Sequence, residues 1–476
     1  MKNNTTVSLT SLGAAQTVTG SKHLLRTPEL NILIDCGLFQ GLKELREKNW
    51  GAFPVDPASI NVMILTHAHL DHCGYIPLLV KKGFKGKIYM TPPTKELTEL
   101  ILLDSAKIQE EDAEHANAMG YSKHHPAKPL YTTEDAELAF SRFVTIEHSV
   151  EFELTPDVSF QFRKNGHILG SACVELNCYG KKIIFSGDIG RYTSDFLLPP
   201  SNIDGADFVV MESTYGDRLH DQKNPSDQLA AIINKTILQH GNVLIPSFAV
   251  GRAQEIMHII NELKNSAKIP THVPVYLDSP MAANATDILC RYPKWHKLSH
   301  DKCTSVCKDV IINRDYHNTK KIIANSNSKI IIAASGMITG GRVLEYLKHY
   351  LGDKRNTILL VGYQAEGTRG RALQNGAHEI KMHGKFYPVK AAVAEIPGLS
   401  AHADQAELIH WLKQFKHLPE KIFLVHGEPS AQEALRVKIQ DELNILVEIQ
   451  KPNEEKILFN VLEHVSVEQY SEAIKA

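Results

Sequence analysis

The most informative stretch of the chain is Thr66-His67-Ala68-His69-Leu70-Asp71-His72. It directly follows the apolar run Val62–Leu65, which is typical of a buried strand. Three imidazoles and one carboxylate crowd into this turn from strand to helix, and they cannot all face a core. Imidazole nitrogens and carboxylate oxygens are ligands that catalytic zinc sites combine. The stretch therefore predicts a metal site at a strand end, rather than histidines that lie beside a helix cap by chance.

Further candidate ligands follow downstream, each at the end of a predicted strand. His167 lies between glycines, Asp188 comes just after Ile183–Phe185, and His426 stands in Leu424-Val425-His426-Gly427-Glu428. Taken alone, each has a bland explanation, because polar residues at strand ends often form caps or local hydrogen bonds. After the first cluster, we interpret them together as additional ligands of a dinuclear metal site.

The composition limits the class of protein. With 476 residues, 43% hydrophobic and 22% charged, the chain is long enough for several folded domains and is not wholly disordered. No apolar run reaches the roughly 18 residues of a membrane span, and Met1–Thr10 lacks an apolar signal core. The 52 basic and 54 acidic residues give a net charge of −2, so only a local basic groove could attract nucleic acid. The seven scattered cysteines favour reduced thiols in the cytoplasm.

Short apolar runs alternate with amphipathic stretches along nearly the whole chain. Runs such as Val243–Ile245, Ile330–Ala334 and Ile422–Val425 are typical of buried strands, and helix-like segments follow several of them. This alternation predicts α/β layers. Because no Gly/Ser/Pro linker marks a boundary, any additional domain is expected as an insertion.

These segments together resemble the ligand series of the metallo-β-lactamase fold. Three more narrow the resemblance to its β-CASP branch of nucleic-acid nucleases, of the cleavage-and-polyadenylation-factor type. They are Met211-Glu212-Ser213-Thr214-Tyr215-Gly216, Leu399-Ser400-Ala401-His402-Ala403-Asp404 and Val425-His426-Gly427-Glu428. Similar signature stretches begin at Ile245, Ser335 and Gly362, so the resemblance covers nearly the whole chain.

The resemblance implies a metallo-β-lactamase αββα sandwich with an inserted β-CASP α/β domain. We expect the first part of the core over residues 1–215, the insert over 216–390 and the rest of the core over 391–476. The active site is expected in the cleft between the two domains. No segment indicates an added RNA-binding module, so the cleft itself would supply affinity for RNA. A homodimer is left open.

The resemblance also implies a role for each matched position. One zinc ion would be bound by His67, His69 and His167, and the other by Asp71, His72 and His426. Asp188 would bridge the two ions, and a hydroxide nucleophile would lie between them. Asp35 would support the metal cluster, or else be a turn carboxylate. His402 would be the general acid and Glu212 would hold it, unless the two form a purely structural pair.

Substrate contacts are expected in the insert. Gly336 and Gly340-Gly341 follow a predicted strand, where backbone N–H groups can bind a phosphate, although an ordinary turn explains these glycines equally well. The candidate RNA-binding residues are Ser247, Arg252, Ser335, Gly336, Arg342, Arg369 and Arg371. Beside His300, Cys303 and Cys307 indicate either a third metal or spaced thiols on a surface helix.

The expected function is a zinc-dependent ribonuclease of the cytoplasm that cuts single-stranded RNA internally, with 5′ exonuclease activity as a further option. Three alternatives stay open. A DNA nuclease would use the same chemistry. The long insert and His402 argue against a small-ester or thioester hydrolase. The retention of all seven candidate ligands argues against a non-catalytic RNA-binding scaffold.

Overall fold

The computed structural model describes residues 5–120, 125–221, 223–306 and 308–461. The strands in these ranges are β1 (Thr6–Gly13), β2 (Lys22–Arg26), β3 (Asn31–Ile34), β4 (Val62–Ile64), β5 (Lys87–Met90), β6 (Phe143–Thr145), β7 (Phe152–Thr155), β8 (Val158–Lys164), β9 (Ala172–Cys178), β10 (Lys181–Phe185), β11 (Phe208–Met211), β12 (Val243–Pro246), β13 (Val275–Asp278), β14 (Val310–Ile312), β15 (Ile330–Ala333), β16 (Thr357–Leu360), β17 (Glu379–Met382), β18 (Lys385–Pro388), β19 (Ala392–Glu395), β20 (Lys421–Leu424), β21 (Leu446–Ile449) and β22 (Glu455–Asn460).

The α-helices in the same ranges are α1 (Lys43–Glu47), α2 (Leu70–Cys73), α3 (Ile76–Lys81), α4 (Pro92–Met119), α5 (Thr133–Phe140), α6 (Pro225–Leu238), α7 (Arg252–Asn265), α8 (Pro280–Arg291), α9 (His300–Ser305), α10 (Tyr316–Ala324), α11 (Val343–Tyr350), α12 (Arg369–Gln374), α13 (Gln405–Lys413) and α14 (Pro429–Leu443). None of these described helices is both long and apolar enough to serve as a transmembrane span.

Two seven-stranded sheets pack face to face to form the core of the molecule. Their strand orders are β22-β1-β2-β3-β4-β5-β6 and β21-β20-β11-β10-β9-β8-β7. Side chains such as Leu25, Phe160 and Phe185 fill the space between the sheets and are almost completely buried. Helices α3 and α4 cover the outer face of the first sheet, and α13 and α14 cover that of the second. The predicted αββα sandwich is confirmed.

A third sheet lies in the chain between the two parts of this core. Its order is β14-β13-β15-β12-β16-β19, and its paired strands are parallel. Val243 and Ile245 face an apolar layer with α7 and α8, whereas Leu244 faces one with α11. Helices therefore cover both faces, as parallel sheets require, and the inserted α/β domain is confirmed. The boundaries at residues 215 and 390 stay a prediction; the pairing of β19 with β16 favours an end just past Glu395.

Strand order brings the polar strand ends to one place. Strands β10, β11 and β20 are parallel neighbours, so their carboxyl ends meet at one edge of the sheet. Asp188, Glu212 and His426 follow these three ends. His426, with φ 47°, and Asp35, with φ 61°, both adopt left-handed backbone that non-glycine residues rarely occupy. Such strain is typical of residues whose side chains a site must aim in one direction.

The structure corrects the expectation for the cysteines of the insert. Cys303 is buried and forms a disulfide with Cys290, with their Cα atoms 5.8 Å apart. This pairing joins α8 to α9, so Cys303 is neither a surface thiol nor a ligand of a third metal, and the expectation of reduced thiols is wrong for this pair. Cys307 lies outside the described residues. The free cysteines of the described ranges, Cys36, Cys73, Cys173 and Cys178, are all buried.

Candidate metal centre and active site

The turn after β4 gathers the first group of candidate ligands. His69 has an extended backbone, and α2 begins at Leu70. Residues two apart in an extended chain point to the same side, so His67 and His69 meet, with Nε2 of His67 3.1 Å from Nδ1 of His69. Nε2 of His167, from the turn before β9, also lies 3.1 Å from Nδ1 of His69. Three ring nitrogens thus converge on one point.

The second group lies beside the first. Nε2 of His426 is 3.2 Å from Nε2 of His72 and 3.3 Å from Oδ2 of Asp71. Nε2 of His72 and Oδ2 of Asp71 are 3.9 Å apart. Asp71 and His72 lie at the start of α2, whereas His426 follows the end of β20. His72 and His426 are 354 positions apart in the sequence.

Asp188 lies between the two groups and directs one oxygen to each. Its Oδ2 is 3.4 Å from Nε2 of His67 and 3.5 Å from Nε2 of His167. Its Oδ1 is 3.3 Å from Nε2 of His72 and 3.6 Å from Nδ1 of His426. This is the arrangement that a bridging carboxylate needs.

The donor chemistry of these seven side chains fits two metal ions. Ring nitrogens that converge at 3.1–3.2 Å bring lone pairs together, which is unfavourable unless a cation or a proton lies among them. Oδ1 of Asp188 is buried and has no hydrogen-bond partner among the described residues. Because a buried carboxylate oxygen without a partner costs free energy, the site is built for a group from outside the chain.

Burial sets the protonation of the first group. It lowers the pKa of His67 to about 3 and that of His69 to about 4, and it holds the pKa of His167 well below its usual value. These rings are therefore neutral at physiological pH, which is the form that binds metal. For Asp188, burial opposes ionisation, but His426 and His72 outweigh it and hold its pKa well below the usual range. The carboxylate between the two groups therefore carries a negative charge.

Asp35 lies behind His72 rather than in either group. Its Oδ2 is 2.7 Å from Nδ1 of His72, which leaves Nε2 of that ring facing the second group. Both of its oxygens also accept hydrogen bonds from Thr66, from the backbone N–H at 2.8 Å and from Oγ1 at 2.9 Å. Asp35 thus orients one candidate ligand and fixes the start of the turn that carries the others.

The partly buried His402 and the buried Glu212 form a pair at the edge of the centre. Nδ1 of His402 is 3.1 Å from Oε2 of Glu212, and Nε2 of His402 is 4.0 Å from Oδ2 of Asp188. Glu212 also accepts hydrogen bonds from the N–H of Ile189 and from Oγ1 of Thr214. Burial disfavours the charged ring of His402, but Glu212 outweighs it and raises the pKa of His402 above its usual value. This direction favours the protonated ring.

A cleft of about 2090 Å³ between the core and the insert opens onto this centre. It is lined from the core by His69, Asp188 and His402, among others. Five of the predicted RNA-binding residues line the cleft from the insert, namely Arg252, Ser335, Gly336, Arg342 and Arg369. The other two, Ser247 and Arg371, do not line it. Arg371 instead donates to Glu428 at 2.9 Å, and the hydroxyl of the buried Ser247 donates to the carbonyl of Phe248 at 3.1 Å.

The three arginines of the insert that line the cleft, Arg252, Arg342 and Arg369, are paired within the protein. Arg252 is buried and forms an ion pair with Glu255. Arg342 donates to Asp278 at 2.5 Å and to the carbonyl of Arg314 at 2.8 Å. Arg369 donates to three backbone carbonyls at 2.8–3.2 Å, those of Lys381, Ile338 and Thr339. These guanidinium groups hold loops of the insert in place, and their role in binding RNA stays a prediction.

The glycine-rich loop after β15 is shaped by local contacts. Oγ of Ser335 accepts hydrogen bonds from the N–H of Thr339 at 3.0 Å and of Gly340 at 3.3 Å. A Cβ on Gly336 would come within 2.7 Å of the ring of Phe248, so only glycine fits there. The Phe248 ring in turn lies 5.9 Å from that of His69. This loop therefore reaches the metal centre through Phe248.

Two threonines at the site were missed by sequence reasoning. Oγ1 of Thr214 donates to Glu212 at 2.7 Å and lies 3.0 Å from Nδ1 of His426, so it joins the acid pair to a candidate ligand. Thr66 contacts both Asp35 and Nδ1 of His67. Both threonines are part of the sequence motifs quoted above. Each lies one or two positions from a histidine or an acid, and this spacing could have indicated that their hydroxyl groups contact the site.

Three family descriptions match successive parts of the chain. The metallo-beta-lactamase superfamily matches residues 20–231. The Beta-Casp domain matches residues 253–373. The Zn-dependent metallo-hydrolase RNA specificity domain matches residues 387–450. The order of these matches agrees with a core that is interrupted by an insert.

Several curated proteins are similar over most of their length. Ribonuclease TTHA0252 of Thermus thermophilus is 36% identical, over 87% of this chain and 92% of that protein. The RNase J-like protein of Methanocaldococcus jannaschii is 35% identical, over 87% and 91%. Transcription termination factor FttA of Methanosarcina mazei is 35% identical, over 92% and 70%.

A solved structure supports the fold alone. The crystal structure of a protein of unknown function from Enterococcus faecalis V583 aligns with a TM-score of 0.51 at 12% identity, and it covers 95% of this chain and 100% of that one. Together with the family matches and the relatives, the converging ligands identify the chain as a member of the β-CASP ribonucleases of the metallo-β-lactamase superfamily, which are metal-dependent hydrolases.

Proposed function

We propose that this enzyme uses two zinc ions to hydrolyse phosphodiester bonds within single-stranded RNA. The observation that carries the proposal is Asp188, with one oxygen toward each group of three ligands. Seven ligands around two ions would leave open positions for water and for a phosphate oxygen. When bound, the zinc pair would supply a strongly acidified water and stabilise negative charge on the phosphate.

The chain's own residues supply the remaining chemistry. His402 holds a proton on Nε2 and gives it to the leaving oxygen as the P–O bond breaks. Glu212 keeps the ring oriented through Nδ1 and stabilises its positive charge.

The test separates acid catalysis from metal binding. His402→Ala should cleave RNA about 10²–10⁴-fold more slowly, because a general acid typically contributes that much, while keeping about two zinc ions. Two RNAs with sulfur at either the 3′ or the 5′ bridging position provide a good leaving group at one side of the phosphate. His402→Ala should recover activity on the RNA whose sulfur is the leaving atom, because a thiolate leaves without being protonated.

His426→Ala is the matched control. It should lose zinc, and neither sulfur substrate should rescue it. Should His402→Ala also lose its zinc, or cleave RNA at the parental rate, the acid assignment is wrong.

The mode of attack needs a separate substrate pair. End-labelled RNAs with a 5′-triphosphate or a 5′-monophosphate should give the same ladder of internal cuts. Stepwise loss from the 5′ end that requires the monophosphate would instead indicate an exonuclease. Matched DNA strands, cut at an equal rate, would contradict selectivity for RNA.

A further inference from the structure

We propose that His220 is a positioning residue for the general acid, because it holds the backbone carbonyl of His402 in place. This inference rests on the proposed role of His402. Nε2 of His220 lies 3.0 Å from that carbonyl oxygen. Because a carbonyl only accepts hydrogen bonds, Nε2 must carry the proton. His220 is 4% exposed and belongs to neither of the two groups of candidate metal ligands described above.

His220 is itself held from several sides. Its backbone N–H donates to Oδ2 of Asp404 at 2.9 Å, and its ring lies edge-on to Tyr215 with centroids 5.0 Å apart. Burial, followed by the charge of Arg191, lowers the pKa of His220 to about 4, so the ring is neutral with its single proton on the donor atom. The hydrogen bond to His402 therefore comes from a rigid, uncharged donor.

The neighbouring contacts show what His220 adds. The N–H of Ala403 donates to the carbonyl of Ile189 at 2.8 Å, and Asp404 caps α13 by accepting from the N–H of Glu407 at 2.9 Å. These bonds fix the residues after His402. The bond from His220 holds the carbonyl end of the same peptide whose N–H belongs to Ala403, so this peptide is anchored on both sides, which restrains the direction in which the His402 imidazole leaves the backbone.

A cation site is the rival explanation for this cluster, because ligand atoms of His220, Asp404 and Glu407 lie within 4.8 Å of one another. Their carboxylates are already satisfied by the protein. Asp404 accepts from two N–H groups, and Glu407 forms an ion pair with Arg191 at 2.9 Å and accepts from the N–H of Tyr192 at 3.1 Å. The cluster is therefore a closed hydrogen-bond network that holds the acid loop.

The expected consequence is on proton transfer. A general acid must lie within about 2.6–3.2 Å of the atom it protonates, and a misplacement of about 1 Å costs about 10²-fold in rate. Without the bond from His220, the peptide between His402 and Ala403 keeps its bond to Ile189 but loses its second anchor, and we expect the His402 ring to shift from the line between Glu212 and the cleft. Metal binding, which uses other elements, should not change.

The experiment compares two amide replacements. In His220→Gln the side-chain nitrogen occupies the position of Nε2 and can donate to the carbonyl, whereas in His220→Asn it corresponds to Nδ1 and cannot reach. We expect His220→Asn to cleave all-oxygen RNA about 10²-fold more slowly and His220→Gln to be close to the parental rate. Both should hold as much zinc as the parent. His240→Asn, at an exposed histidine in a turn, is the matched control and should be unchanged.

Substrates with a sulfur leaving group distinguish loss of acid catalysis from general structural damage, because structural damage would slow cleavage of oxygen and sulfur substrates equally. On the RNA whose bridging sulfur is the leaving atom, the deficit of His220→Asn should shrink, as we also expect for His402→Ala. Each cleavage rate is divided by the fraction of protein that contains zinc. If His220→Asn does not fold, His220→Leu is used as the variant without a donor.

The inference is overturned if the donor-less variant cleaves like the parent, if its deficit is the same on oxygen and sulfur substrates, or if His220→Gln is equally impaired. A His402→Ala enzyme that sulfur fails to rescue would instead overturn the acid assignment first. The two failures are therefore distinguishable.

Discussion

The two walls of the cleft both carry polar side chains, but those side chains are used differently. On the core side, ring nitrogens of neutral histidines face one another, and Oδ1 of Asp188 has no hydrogen-bond partner among the described residues. On the insert side, Arg342 and Arg369 donate to oxygens of their own domain. Groups left without partners are available to bind something from outside, and groups already paired stabilise the fold. The partners of a side chain therefore indicate its function better than its residue type.

Asp188→Ala should have the largest effect on this comparison. Removing the carboxylate takes a ligand from both groups at once, so zinc content should fall from about two ions per chain to below one and RNA cleavage should fall below detection. Elemental analysis of the purified protein and cleavage of labelled RNA measure both. A variant that keeps a single tightly bound metal, equal to the parent's content, would contradict the dinuclear site.

Arg342→Met should destabilise the insert without weakening phosphate binding. Breaking a buried ion pair costs about 3–5 kcal/mol, and we expect about 3 kcal/mol because Asp278 keeps three other donors, Asn313, Thr319 and Tyr346. Urea denaturation measures this loss. The salt dependence of RNA binding distinguishes the two roles of the arginine: a lost phosphate contact would reduce its slope by about 0.7, and we expect no change.

Asp35→Asn should weaken metal binding without abolishing it. The amide can still accept from Thr66, but it cannot hold the Nδ1 proton of His72 with a negative charge. Residues that orient a metal ligand typically contribute 10–100-fold to affinity, so zinc should be lost to a chelator at about 10–100-fold lower chelator concentration. Chelator titration followed by elemental analysis checks this value. Zinc retention equal to the parent's would show that His72 needs no support.

The sequence contained the local part of this site and lacked the distant part. The turn from Thr66 to His72 could be interpreted directly, because extended backbone places alternate side chains on one side. The convergence of His426 with His72 depends on the parallel order of β11 and β20, which required the family resemblance. The pairing of Arg342 with Asp278 joins residues 64 positions apart, so the sequence could not show that this guanidinium also holds the insert together, and its role in binding RNA stays a prediction.

The smallest effect is expected at an exposed ion pair of the same insert. Nζ of Lys268 lies 2.8 Å from Oδ1 of Asp227, and both side chains are more than half exposed. Because water and salt screen such pairs, they contribute about 0–1 kcal/mol, and Lys268→Ala should shift the urea midpoint far less than Arg342→Met. Both variants remove one positive charge from the insert, so the pair separates burial from charge. Equal losses of stability would show that the Arg342–Asp278 contact is no more structural than a surface pair, and the difference between the two walls of the cleft would then disappear.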